Sequence, residues 1–271
     1  MQRVTGAVQI KKRKKILDVD RKKPCNKKNC RANQQITGQR ENYTYKLPEG
    51  QFTSAHALDS TGGLGPGSHG QDVIWGSLIA DGYSNPRGCV TLDHSVSSAP
   101  YVYWKWQCLA ADEMITLKST PRLCTRLDRR SGTWTYSLRF NSLTLFYSER
   151  QLLYVPRAGK KGKSVKSFPT LKKSASRWTP AALAVWYMDD GGRGGNSKRG
   201  CVIDVSCYAP HGLKRIKLTL RKIYQIETSF QRGSGKTVKL FILEKSAVRF
   251  RDLVAPYIIP SMWYKVSHLY S

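Results

Sequence analysis

Two stretches decide how this chain reads: IWGSLIADG at residues 74–82 and LAVWYMDDG at residues 183–191. Each is an apolar run at helical spacing that ends in Asp-Gly, at Asp81-Gly82 and Asp190-Gly191. Start signals flank both. Ser68 with Gln71 fits a capping box, and Thr179 followed by Pro180 fits an N-cap with proline in the first turn. Gly82 and Gly191 suit the left-handed position that closes a helix. Helices that are apolar nearly all round must be buried. If these two pack on each other, Gly76 and Ala80 on the first, with Ala181, Ala184 and Val185 on the second, allow close approach. That packing brings Asp81 and Asp190 together. A carboxylate at a helix C-terminus opposes the macrodipole, at about 0.3–1 kcal/mol, and two neighbouring carboxylates repel unless a divalent cation lies between them. A single Asp-Gly after a helix is an ordinary turn. Two copies 109 residues apart, each followed by a Gly-Cys-Val strand (88–90 and 200–202), point instead to an internal repeat built around an acid pair.

The rest of the chain says what such a pair would act on. Across 271 residues, 46 Lys+Arg against 18 Asp+Glu leave a net charge of +28, so a polyanion is the expected partner. In that setting the acid pair suggests metal-assisted phosphodiester cleavage. With 40% hydrophobic and 10% aromatic residues the chain is too apolar to be disordered throughout. No run is long enough to span a membrane, and no amphipathic helix is apolar enough to anchor to one, so no membrane partner is expected. Residues 1–67 read as a basic arm, with KKRKK at 11–15, and a Gly/Ser-rich linker. Residues 68–175 and 176–271 read as two halves. The seven cysteines show no CxxC pair and are expected to be free thiols. The five histidines show no metal-ligand spacing. TWTYSLRF at 133–140 alternates strictly, with Trp134, Tyr136, Leu138 and Phe140 on one face and Thr133, Thr135, Ser137 and Arg139 on the other; KTVKLFIL at 236–243 behaves similarly, with Thr237 and Lys239 on its polar side. The aromatic runs YVYWKW at 101–106 and WYM at 186–188 fit core packing better than base stacking.

At the two Asp-Gly motifs the chain resembles the LAGLIDADG homing endonucleases, in their single-chain, two-motif form encoded in organellar rRNA introns. The stretch VAPYIIPSMWYK at 254–265 resembles that subgroup's terminal block. The resemblance covers roughly residues 70–268. It implies an α+β fold of two pseudo-symmetric αββαββα half-domains, with antiparallel, saddle-shaped sheets and the motif helices as their interface. It implies Mg²⁺ as cofactor, held by Asp81 and Asp190, with Asp189 in a supporting or structural role. It implies a basic residue at each metal site, matched by Lys265 in the second half and by Lys166 in the first, where Lys160, Lys161 and Lys163 compete. The implied partner is double-stranded DNA, cut once in each strand by a monomer. Thr133, Thr135, Ser137 and Arg139, with Arg193, Thr237 and Lys239, are then the candidate groove contacts. Intron RNA is the alternative partner, since some family members act as maturases; a noncatalytic DNA-binding regulator would have no need of the two acids. An organelle, mitochondrion or chloroplast, is the implied location.

Overall fold

The computed structural model describes residues 69–116, 119–128, 132–156, 159, 164–194, 200–233 and 237–270. The basic arm and linker, the Ser68 cap, Cys25 and Cys30, and Lys160, Lys161 and Lys163 lie outside the described residues.

The element order repeats. The first unit runs α1 (His69–Ile79), β1 (Tyr83–Ser84), β2 (Val90–Ser95), α2 (Ala99–Ala111), β3 (Arg122–Asp128), β4 (Thr133–Asn141) and α3 (Tyr147–Leu153). A hairpin of β5 (Tyr154–Pro156) and β6 (Ser164–Lys166) and the short α4 (Leu171–Ser174) lead to the second unit. That unit runs α5 (Pro180–Asp190), β7 (Gly191–Arg193), β8 (Cys201–Asp204), α6 (Pro210–Tyr224), β9 (Thr228–Arg232), β10 (Val238–Ile242) and α7 (Glu244–Val254). Three 3₁₀ turns, Ala255–Tyr257, Pro260–Lys265 and Ser267–Tyr270, follow among the described residues. The sheets share one antiparallel topology, β1-β2-β4-β3 and β7-β8-β10-β9. This is the αββαββα repeat that the motifs imply.

The motif helices α1 and α5 pack directly on each other. A Cβ on Gly76 would stand 2.5 Å from the Ala182 carbonyl oxygen and 2.6 Å from Val185 Cβ, so only glycine permits this approach. The residues of α5 that face Gly76 are Ala182 and Val185. Thr179 caps α5 as its sequence suggests, accepting from the Ala182 N–H at 3.0 Å, with Pro180 in the first turn. Its hydroxyl donates to Asp72 of α1 at 2.7 Å, tying together the starts of both motif helices. Trp75, Trp178, Trp186 and Phe168 form a ring cluster across the interface. Tyr101 and the WYM run are buried, as core packing requires. Cys89, Cys108, Cys124, Cys201 and Cys207 are free thiols. Among the described residues no helix is long and apolar enough to cross a membrane.

Three local expectations differ from the structure. Gly82 and Gly191 are not left-handed. Gly191 is extended (φ −85°, ψ 160°) and opens β7, and positive φ among glycines falls on Gly88, Gly132 and Gly159 of the described residues. Glycine is needed at both motif ends for space: a Cβ at Gly82 would meet the Ser77 carbonyl oxygen at 2.7 Å, and one at Gly191 would enter the Tyr187 ring and carbonyl. The two Gly-Cys-Val segments are both strand entries, but they are out of register by one face. Cys201 is fully buried whereas Cys89 is half-buried and Val90 takes the inward position, because a one-residue shift along a strand swaps its faces. Finally, the apolar face of β4 is buried only at Leu138 and Phe140, and Tyr136 stays 45% exposed. β2 pairs with residues 137–141 and β3 with residues 133–139, so the β3–β4 ribbon runs past the core with β2 no longer beside it.

Gly76→Val is expected to cost at least the roughly 1–3 kcal/mol typical of overpacking, since the obstructing atom is a helix carbonyl that cannot swing aside. Thermal denaturation followed by circular dichroism should show a melting temperature several degrees lower.

Candidate active site

The site forms where the C-terminal ends of α1 and α5 meet. Asp190 is the last residue of α5 and is half-buried; Asp81 sits in the turn after α1, where the Gly82 N–H donates to the Ser77 carbonyl at 2.7 Å. Burial, then the neighbouring Asp81 and Asp189, push the Asp190 carboxyl up to about 8. Burial and Asp189 raise Asp81 as well, but this residue is the more exposed of the two. Two crowded carboxylates at the negative ends of two helices are poor stabilisers of the fold and good donors for a cation.

Each helix end receives one lysine. Lys166, at the end of β6, donates from Nζ to the Ala80 carbonyl oxygen, the residue before Asp81. Lys265, at the end of the 3₁₀ turn Pro260–Lys265, donates to the Met188 carbonyl at 2.5 Å and the Asp189 carbonyl at 3.3 Å. The two lysines therefore occupy matching places, each neutralising the carbonyl end of a motif helix and setting an ammonium beside an acid. Burial lowers both below the ordinary lysine range.

Asp189 does not join the pair at the surface. Its side chain is fully buried, and both oxygens accept from Lys105 Nζ, at 2.8 and 2.9 Å. Burial alone would raise this carboxyl; Lys105 and His94 bring it below its ordinary value. His94 is driven down to about 4 by burial and by Lys105, so its ring is neutral at pH 7 and Nε2 accepts from Lys105 at 3.1 Å. Sequence reasoning did not find Lys105 or His94. The one available signal was a lysine amid the aromatic run YVYWKW of a helix otherwise destined for the core.

Among the described residues no group of three or more His, Cys, Asp and Glu surrounds a common point, and Asp189 is already engaged by Lys105. The chain thus offers two carboxylates, Asp81 and Asp190. This donor set suits Mg²⁺, which takes one or two protein carboxylates and fills its remaining positions with water and substrate phosphate, and it does not form a closed protein cage.

The expected groove contacts fall into three groups. On the first sheet Thr133, Thr135, Ser137 and Arg139 share one face with Asp93 and with Arg122 and Arg126 of β3, two exposed arginines that the sequence reading passed over. Arg139 is engaged by Asp93, Nε donating to Oδ2 at 3.0 Å, and Thr135 donates to the Arg126 carbonyl at 3.1 Å. On the second sheet Lys239 is exposed on the open face, opposite Asp204 and Gln231, with Thr237 two residues before it on the same side. Arg193 departs from this pattern. It is exposed, but its register partner is the fully buried Cys201, which puts it at the sheet edge on the core side rather than beside Lys239.

A family model described as the LAGLIDADG DNA endonuclease family matches residues 71–250. The chain belongs to that family. Among curated proteins, this LAGLIDADG protein is 26% identical over 211 residues to the cytochrome b mRNA maturase bI2 of Saccharomyces cerevisiae, an alignment covering 72% of the chain and 47% of the maturase. It is 27% identical over 212 residues to the DNA endonuclease I-ChuI of Chlamydomonas applanata, covering 73% of the chain and 94% of that enzyme. The chain therefore spans about half the length of the maturase and nearly all of the endonuclease. Among solved structures it resembles the homing endonuclease I-WcaI bound to its DNA recognition sequence, with a TM-score of 0.61 at 18% identity over 76% of this chain and 89% of that one. At that identity the likeness establishes the fold.

The Asp190 shift makes a signed prediction. Its carboxyl binds a proton more tightly folded than unfolded, so this contribution is fully present below about pH 4 and is lost as pH rises through about 8. Asp72, pushed up to about 6 by burial, acts in the same direction over a lower range. In a chelator, the melting temperature should fall between pH 6 and pH 8. Asp190→Asn should flatten that fall and lessen, without abolishing, the fall between about pH 4 and pH 6, where Asp72 contributes as well.

Proposed function

We propose that this LAGLIDADG protein is a site-specific endonuclease that hydrolyses one phosphodiester in each strand of a long, asymmetric DNA target, the reaction of intron homing. The observation that carries the reading is the meeting of Asp81 and Asp190 at the ends of two packed helices, each with its own lysine. A divalent cation such as Mg²⁺, held by these carboxylates, would polarise the scissile phosphates and lower the pKa of attacking water. The chain's own groups do the rest. Lys166 and Lys265 place positive charge beside each acid, where it can neutralise charge developing on a phosphate oxygen. Gly82 and Gly191 leave the space, beside Ser77 and Tyr187, in which the chain passes each acid. Asp189 stays paired with Lys105 and keeps its charge away from the substrate.

Recognition follows from the open sheet faces. A two-stranded ribbon fits the major groove, and alternate side chains can reach base edges. The β3–β4 ribbon offers Thr133, Thr135, Ser137 and Arg139 with Arg122 and Arg126, and β10 offers Thr237 and Lys239; Arg193, exposed at the edge of the second sheet but on its core side, does not belong to this face. Phosphate contacts from the +28 chain should dominate affinity and make it strongly salt-dependent. Because both motifs lie in one chain, a monomer would hold a complete site.

The likeness to a cytochrome b mRNA maturase favours a second reading, in which the same fold binds intron RNA, and it supports an organellar setting. Retention of both acids with their lysines favours DNA cleavage as the main activity, since an RNA-binding splicing cofactor has no use for carboxylates facing a phosphate backbone.

Incubating the protein with a plasmid library of host-gene inserts should yield discrete double-strand breaks at one long sequence with Mg²⁺ and none with EDTA. Asp190→Asn and Asp81→Asn should each reduce cleavage by about 10²-fold or more while leaving binding intact. Tight binding to duplex without cleavage, under Mg²⁺ or Mn²⁺, would overturn the endonuclease reading in favour of the RNA-binding one.

A further inference from the structure

The two halves of the site are built alike except beneath Asp190. Lys105, on α2 of the first repeat, is fully buried and crosses to the second repeat to grip both oxygens of Asp189. The Tyr101 ring lies 4.4 Å from its Nζ, and the Tyr101 hydroxyl donates to the Val185 carbonyl of α5 at 3.3 Å. Asp189 is thus held at its carboxylate by Lys105 and at its carbonyl by Lys265. Its neighbour in sequence is Asp190.

The fold supplies its own control. The buried positions Tyr101, Lys105, Cys108 and Leu109 of α2 have the same spacing as Gly212, Ile216, Thr219 and Leu220 of α6. Where one repeat has Lys105, the other has Ile216. Asp189 precedes Asp190, and its counterpart before Asp81 is Ala80, a buried apolar residue. The second repeat therefore carries a buried isoleucine at the position equivalent to Lys105, and the first a buried alanine at the position equivalent to Asp189. Packing alone does not require the pair, since a well-packed apolar pair can replace a buried ion pair at no loss of stability.

We propose that Lys105 is a positioning residue that makes the two half-sites unequal. Acting through Asp189, it pins the end of α5 with a buried ion pair and so holds Asp190 more firmly than Asp81, whose helix end is tied by hydrogen bonds to its carbonyls alone, from Lys166 to Ala80 and from Tyr208 to Ile79. The half-site of Asp190 then binds its cation more tightly and cuts first, leaving a nicked intermediate. The cleavage part of this inference rests on the endonuclease reading above.

The test is the double variant K105I/D189A, which puts at both positions the residues that stand at the equivalent places, Ile216 and Ala80. K105I alone, which strands a buried carboxylate, should melt lower than the wild type and the double variant. On duplex labelled in either strand, the wild type should cut one strand first with a bias of roughly tenfold, which a difference of about 1.4 kcal/mol between the two barriers produces. The folded double variant should cut both strands at similar rates. Mn²⁺ titration without DNA supplies a second readout, with unequal sites in the wild type and equal sites in the double variant. Equal strand rates in the wild type, or a folded double variant that keeps the bias, would overturn the proposal. Should the wild type cut neither strand, the endonuclease reading fails and the Mn²⁺ titration decides alone: unequal sites that become equal support the inference, and equal wild-type sites end it. If K105I/D189A does not fold, K105M/D189N, closer in volume to the native pair, takes its place in both measurements.

Discussion

Everything in the structure depends on how closely two helices can approach. Gly76 lets α1 lie against the backbone of α5 at Ala182 and Val185, and the aromatic cluster of Trp75, Trp178, Trp186 and Phe168 closes around the crossing. Because the helices run side by side to their C-terminal ends, their last residues are brought together. Because both must be apolar to be buried there, only the ends are free to carry charge. The position of the acid pair is a consequence of packing, and the sheets take their places on either side of it.

The energetic cost of that placement shows in the surroundings. Two carboxylates at the negative ends of two dipoles repel each other and the helices that carry them. The structure answers with cations brought from distant parts of the chain: Lys166 from a hairpin, Lys265 from the C-terminal turns and Lys105 from α2. None of the three is a helix neighbour of the acid it serves. The acids are local in sequence, and their compensation is not.

This difference explains what the sequence disclosed and what it hid. The motif helices, their repeat, the Thr179 cap and the strand alternation are short-range patterns, set by spacing within one element, and they were legible. Asp81, Asp190, Lys166 and Lys265 could be named because motifs mark them. Lys105 could not, since the aromatic run around it hints at burial but not at a partner; what decides is an aspartate 84 residues away. The conformation of Gly82 and Gly191 was misread for a related reason. Asp-Gly after a helix suggests a left-handed cap, but the obstacle that requires glycine is a neighbouring side chain or carbonyl rather than the residue's own φ. The inward turn of Cys201 against the half-buried Cys89 is a matter of strand register, which identical tripeptides cannot convey.

The Lys105–Asp189 crossing also bears on the ancestry of such a chain. A protein of two similar halves invites descent from a symmetric dimer of one half. Two copies of the present first repeat would set Lys105 against Ala80, and two copies of the second would set Asp189 against Ile216, each burying a charge with no counter-ion at both crossings. The charge on each half is balanced only by the other, so the ion pair marks the two halves as complementary rather than interchangeable.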